Sequence, residues 1–205
     1  MNSPKLLFFD LETTGTNFWQ HGIHQISGCI EVDGEVKEYF DFKVRPNPSA
    51  KIDQTALDVG NVTLEQIQAY TPMEEVFKTL SAMLSRYVDK FDKKDKFYLV
   101  GFNNASFDNQ FLRAWFVQNA TSEKERAYGN YFGSWFWANC LDVYVLATPY
   151  LFNVRSQMVD FKLKTVAKCL GVLVDESKLH DAEYDIELTR SIYQIVTSAH
   201  KELLT

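Results

Sequence analysis

The chain has 205 residues, 46% of them hydrophobic, and a formal net charge of −6. That length and apolar content exclude a disordered tract and suit one substantial α/β core, so residues 1–205 are expected to form a single domain. The modest acidity excludes a protein that tracks long duplexes by neutralising many phosphates, and any nucleic-acid contact should be short, local and metal-bridged.

Cys29, Cys140 and Cys169 lie far apart with no Cys-x-x-Cys pairing, which excludes a zinc ribbon and reads as reduced thiols in a reducing compartment. No cationic, apolar leader opens the chain and no segment approaches 18 apolar residues. A cytoplasmic protein without membrane contact is expected.

Four apolar residues, Leu6 to Phe9, run straight into Asp10, and Glu12 follows two positions later before Thr13-Thr14-Gly15 breaks the strand. Strand side chains alternate faces, so Asp10 and Glu12 point the same way at the end of a buried strand. Two carboxylates about 4 Å apart repel by roughly 4 kcal/mol at an effective dielectric near 20. No Arg or Lys lies between Lys5 and Lys37 to relieve them, so a metal ion or a bound proton is needed; a strand ending in a polar turn is the bland alternative.

Residues 16–24 read as a loop carrying His21 and His24, taken as ordinary loop histidines because no further zinc ligand follows at the right spacing. Gln25 to Val32 and Val36 to Val44 read as strands joined by a tight Asp33-Gly34 turn, so three antiparallel strands come first. Arg45-Pro46-Asn47-Pro48 ends the meander. Ile52, Ala56, Leu57 and Val59 suggest a first short helix, and Thr63 caps a second reaching Tyr70. Met73 to Val88 should be a longer amphipathic helix with Val76, Phe77, Leu80, Leu84 and Val88 on one face, followed by a solvated connector to Lys96.

Phe97 to Phe102 reads as a core strand, placed parallel to the first by the intervening helical crossover. Asn103-Asn104-Ala105 turns the chain, Ser106 is expected to cap a helix, and Phe107, Phe111 and Trp115 recur at helical spacing. Asp108 would sit in the first turn, where a carboxylate also serves the helix dipole. The aromatic run Tyr128, Tyr131, Phe132, Trp135, Phe136 and Trp137 suits core or partner contact, with base stacking as the alternative. A short strand or helix begins near Asp142, and Leu163 to Leu170 is a helix closed by Gly171. Beside it Lys162, Lys164 and Lys168 make a basic patch or an ordinary solvated face. The final helix runs from Asp181, its cap, to about Ala199, with Tyr184, Leu188, Ile192, Ile195 and Ala199 as its apolar face. His180 falls on the loop outside it and Asp185 in its second turn.

Asp10, Glu12, Asp108, Asp185 and His180 thus collect at strand ends and helix starts. Four carboxylates suit two hard divalent ions, Mg²⁺ or Mn²⁺, held so as to clamp the attacking and leaving oxygens of a phosphodiester, and a histidine can take the proton from water. The segments Phe9 to Gly15, Asn104 to Asp108 with Phe111-Leu112, and His180 to Asp185 resemble, in order, the three motifs of the DEDDh 3′–5′ exonuclease family, which includes the proofreading subunit of bacterial replicative DNA polymerase. His-x-Ala-x-x-Asp marks the histidine branch. The resemblance reaches from Leu7 to about Tyr193.

It implies a ribonuclease-H-like fold, with a mixed central sheet flanked by helices, and 3′–5′ hydrolysis of single-stranded DNA to nucleoside 5′-monophosphates in proofreading or repair. Asp10 would bridge two metal ions, Glu12 and Asp185 would complete the tighter site, Asp108 would hold the second ion, and His180 would be the general base. Leu11, Thr13 and Thr14 would meet the terminal nucleotide, with Phe107 near its base or sugar. A DNA polymerase partner also follows from the resemblance. Two departures are Gln25, where many relatives have Glu, and Asn103, where many have His.

Three other readings stay open. One is an RNA 3′–5′ exoribonuclease of the same fold. A second is a haloacid-dehalogenase-type phosphatase, with Asp10 as its nucleophile; against it, no Gly-Asp-Gly-x-x-Asp motif follows. The third is a non-catalytic nucleic-acid-binding module.

Overall fold

The computed structural model describes residues 4–179 and 181–202, without the side chains of 199–202. The opening segment forms β1, Lys5–Thr13, which pairs antiparallel with β2, Ile23–Val32. β2 in turn pairs antiparallel with β3, Glu35–Arg45. Asp33 (φ 58°) and Gly34 (φ 79°) make the hairpin, the left-handed pair that matches strand twist in a two-residue turn.

Two short helices follow, α1 (Gln54–Val59) and α2 (Leu64–Gln68), the second closed by a reciprocal Thr63–Gln66 capping box. In α1 only Leu57 is buried, while Ile52 and Val59 stand exposed. The two-residue strand β4, Thr71–Pro72, leads into α3, Met73–Leu84. Val88 is buried as expected but lies beyond the end of α3.

The crossover delivers β5, Phe97–Gly101, parallel to β1. Then come α4 (Asp108–Gln118), α5 (Glu123–Ala127), α6 (Phe132–Trp135), the two-residue strand β6 (Leu141–Asp142), α7 (Val143–Ala147), α8 (Leu163–Cys169) and α9 (Ala182–Glu202). The mixed six-stranded sheet has the order β4-β3-β2-β1-β5-β6, antiparallel through β1–β3 and parallel across β1, β5 and β6.

Strand alternation divides the core in two. Leu7, Phe9 and Leu11 face one layer, packed on Val76, Leu80 and Leu84 of α3 and Phe111, Trp115 and Phe116 of α4. Leu6 and Phe8 face the other, packed on Val143 and Ala147 of α7, Val166 and Ala167 of α8, and Ile186, Ile192 and Val196 of α9. Phe132, Trp135 and Phe136 of the aromatic run belong to the first layer, so those rings are core.

Three expectations need correcting. His24 belongs to β2 and is only 1% exposed, with no hydrogen-bond partner on either ring nitrogen. Ser106 does not cap α4: its hydroxyl donates back to Asn103 Oδ1 (3.0 Å), and the helix starts without a side-chain cap. On α9 the buried position is Val196, while Ile195 is exposed; the helix meets the sheet about one residue further round than the sequence spacing suggests. Ala199 lies outside the described side chains. No helix among the described residues is long and apolar enough to cross a membrane.

Burial, and secondarily the charge of Lys43, lowers the His24 imidazole to about 4. The folded state therefore binds fewer protons than the unfolded chain between about 4 and the ordinary value near 6.5. Stability from His24 is present above 6.5 and lost as pH falls towards 4. A His24→Leu variant should flatten that part of the curve, as measured by thermal melts across pH 4–7; an unchanged slope would exclude His24 as its source.

Candidate active site

The even positions of β1 that bury Leu6 and Phe8 continue, past the end of the packed layer, as Asp10 and Glu12. Both are half-buried, opposite Ser27 and Gln25 of β2. Gln25 Nε2 donates to Asp41 Oδ1 (2.6 Å) and Ser27 Oγ (3.1 Å), so this departure from the family pattern is absorbed by a polar network across β2 and β3.

Asp108 reaches the same strand end from the start of α4. It is 5% exposed, and the N–H of Leu11 donates to its Oδ1 at 3.2 Å. That hydrogen bond ties the second motif to the first. Asp185, half-buried, comes from the first turn of α9, not the second, because the helix begins at Ala182 with Asp181 outside it. The helix is started by Asp181, whose carboxylate accepts the N–H of Tyr184 (3.0 Å) and whose carbonyl accepts that of Asp185 (2.9 Å). His180 lies outside the described residues.

The electrostatics record the convergence. Burial chiefly, then the charges of Asp108, Glu12 and Asp185, hold the Asp10 carboxyl well above the usual carboxylate range, against one favourable N–H from Leu11. Burial pushes Asp108 up to about 7, opposed by its own N–H and that of Leu11 and reinforced by the charges of Glu12 and Asp142. Acids from three distant segments therefore share one field. Among the described residues no three His, Cys, Asp or Glu side chains are already gathered as a group that could hold a metal ion. The donor set is all carboxylate oxygen, the chemistry that hard divalent cations prefer, and its mutual repulsion is what such a cation relieves.

Beside the acids lies a groove of about 300 Å³, lined by Leu11, Glu12, Thr13, Gly15, Asp53 and Phe107 among others. Thr14 is not among its lining residues. It is fully buried, donates its hydroxyl to the Lys51 carbonyl (2.7 Å) and accepts the N–H of Gly22 (2.9 Å), so its side chain stitches the turn and is not free for a ligand. Thr13 donates to the Gly15 carbonyl (2.8 Å). A side chain at Gly15 would begin 2.3 Å from the His21 ring, which explains the glycine.

The sequence marks Asp142 only as the start of a short strand or helix. Its carboxylate also accepts the N–H groups of Asn103 (2.9 Å) and Ala105 (3.1 Å), besides that of Tyr144 (3.0 Å). By pinning the turn before α4, Asp142 sets where Asp108 emerges. Asn103 sits at φ 62° in that turn, a conformation asparagine tolerates; no local pattern could announce the partner 39 residues away.

Three comparisons with known proteins bear on this geometry. The RNase T exonuclease family profile matches residues 7–193. The PolC-type DNA polymerase III of Mycoplasmopsis pulmonis is 24% identical over 194 residues, covering 95% of this chain and 12% of the polymerase. Among solved structures, the zinc-bound form of an Escherichia coli exonuclease I–single-stranded DNA complex superposes with a TM-score of 0.73 at 19% identity, covering 98% of this chain and 42% of that one. A complex of E. coli exonuclease I with a dT13 oligonucleotide gives 0.71, at 19% identity and with the same coverage. The chain thus spans less than half the length of those solved exonucleases and about an eighth of the polymerase. The fold is that of these ribonuclease-H-like exonucleases, and the chain belongs to the RNase T exonuclease family.

Proposed function

We propose that this chain is a metal-dependent 3′–5′ exonuclease that hydrolyses the terminal phosphodiester of single-stranded DNA and releases nucleoside 5′-monophosphates. The observation that carries the proposal is the shared field of Asp10, Glu12, Asp108 and Asp185 at the mouth of a groove. Family membership supports the reaction class. The exonuclease I complexes with single-stranded DNA and dT13 support the substrate, and the PolC-type relative supports work alongside a DNA polymerase, in proofreading or repair. The phosphatase alternative loses support to the family match.

Asp10, Glu12, Asp108 and Asp185 would hold two Mg²⁺ or Mn²⁺ ions. Bound there, the metal supplies Lewis-acid stabilisation and a more acidic water. The protein residues do the rest. His180 takes the proton from the attacking water, the work a histidine side chain commonly does as a general base. Phe107 and the backbone around Thr13 seat the terminal nucleotide in the groove. Leu11 contributes wall rather than a donor, since its N–H is committed to Asp108.

The direct test incubates the purified protein with 5′-labelled single strands and Mg²⁺ or Mn²⁺. Stepwise shortening from the 3′ end should appear, with Asp10→Ala abolishing it and His180→Ala slowing it by roughly 10²–10⁴-fold. Binding without shortening would favour the non-catalytic module, and faster shortening of a matched RNA would favour the exoribonuclease.

Asp108 supplies a second prediction, on stability. Its folded value of about 7 exceeds the ordinary 3.9, so its contribution is full below about 3.9 and lost as pH rises through 7. At pH 8 without metal, Asp108→Asn should therefore melt higher than wild type by several degrees, on the order of 1–3 kcal/mol, and should lose the upward shift that Mn²⁺ gives the wild type. A variant that melts lower and still responds to Mn²⁺ would contradict the proposed role.

A further inference from the structure

A second groove of about 420 Å³ is lined by Phe18, Trp19, Gln110, Arg113, Val117 and Gln118. It lies between α4 and the loop that follows Gly15. Trp19 is 81% exposed, which is unusual for so large an apolar ring. The loop that carries it is held in place: Trp19 N–H donates to Asn17 Oδ1 (2.9 Å), and the Asn17 carbonyl accepts from Gln20 (2.9 Å) and His21 (2.8 Å). Lys51 Nζ donates to Gln20 Oε1 (3.0 Å) from outside the loop. Trp19 is thus displayed on an ordered support.

The ring is also continuous with the candidate site. Phe107 contacts Phe111 (centroids 5.0 Å apart), Phe111 contacts Phe18 (6.3 Å), and Phe18 contacts Trp19 (4.8 Å). Phe107 itself lines the first groove beside Glu12. The second groove contains no acid although the chain carries a net charge of −6. Its cation, Arg113, has its Cζ 4.4 Å from the centre of the Phe132 ring and pairs with no carboxylate among the described residues. An aromatic face, amide side chains and an unpaired guanidinium are what a single-stranded polyanion requires, since every base offers a π-face and every phosphate a charge. An apolar protein segment would have no use for the cation.

We propose that Trp19 is a stacking platform for a base upstream of the 3′ terminus, with Arg113 facing the adjoining phosphates, so that the protein grips several nucleotides of the strand whose end lies at Asp10. This rests on the reading that the acidic site takes a nucleic-acid 3′ end. It makes affinity depend on strand length, which the terminal-nucleotide groove alone does not.

The test titrates metal-free protein into 5′-fluorescein-labelled oligothymidylates of two and ten nucleotides while following fluorescence anisotropy, a readout that survives substitution of Trp19. Trp115 and Trp135 are buried and Trp137 is half-buried, so in a parallel tryptophan-fluorescence titration the part of the quench that Trp19→Ala loses reports stacking on Trp19. Wild type should bind the decamer more tightly than the dimer. Trp19→Ala should weaken the decamer on the order of tenfold and erase the length dependence, while Trp19→Phe keeps most of both; thermal melts check that each variant is folded. Decamer affinity that is indifferent to Trp19→Ala, or a wild type without length-dependent binding, overturns the platform. Cleavage of the decamer with added Mn²⁺ is measured in parallel. Stacking without cleavage retires the hydrolase reading and leaves the platform standing, whereas cleavage with affinity indifferent to Trp19 retires the platform alone.

Discussion

The repulsion among the carboxylates at the end of β1 is the constraint on which the rest of the structure turns. Asp10 and Glu12 occupy positions that the alternation of the strand would otherwise give to core residues, and Asp108 is buried outright. Burying acids near one another is unfavourable unless something compensates. Hydrogen bonds from Leu11 and from the start of α4 offset a part, and Asp10 and Asp108 remain hard to ionise. A fold that maintains this tension has a use for it.

The surrounding architecture holds the acids in place. Asp142 pins the turn before α4, Thr14 ties the turn after β1 to Gly22 and Lys51, and Leu11 is bonded across to Asp108. The last helix is fixed by Arg190, which reaches the buried Glu31 of β2 at 2.7 Å and Glu187 of its own helix at 2.9 Å. A buried pair of this kind adds little net stability, but it specifies how α9 lies on the sheet and hence where Asp185 points. The acids come from three separate segments, each anchored by polar contacts that a hydrophobic core alone would not provide.

Much of this was legible in the sequence because the governing signals are local. An apolar run ending in Asp-x-Glu, an Asp-Gly hairpin, and Asp181 four residues ahead of Asp185 each define geometry within a few residues. The same holds for the mixed sheet, since a long helix between two strands requires a parallel crossover. The failures share a different cause. His24 reads as a loop residue because its burial depends on a segment that arrives much later, the end of α1 at Gly60, where an added Cβ would lie 3.7 Å from the imidazole. Ser106 looked like a cap, but the Asn103–Ala105 turn claimed its hydroxyl. Thr14 sits inside a motif and serves the turn instead of the groove. Asp142 acts across a separation no window of sequence could span, and the Val196-for-Ile195 exchange depends on how a helix rolls against its sheet.

The central claim is that these acids share one field and give it up to divalent cations. Isothermal titration of Mn²⁺ into metal-free protein at pH 6.5, repeated in two buffers of different ionisation enthalpy, measures both halves at once. Saturable binding accompanied by release of roughly one to two protons per chain is the expected result, because Asp108, held near 7, and Asp10, held high beside it, must ionise to ligate. Absence of saturable binding at millimolar Mn²⁺, or binding that releases no proton, would contradict it.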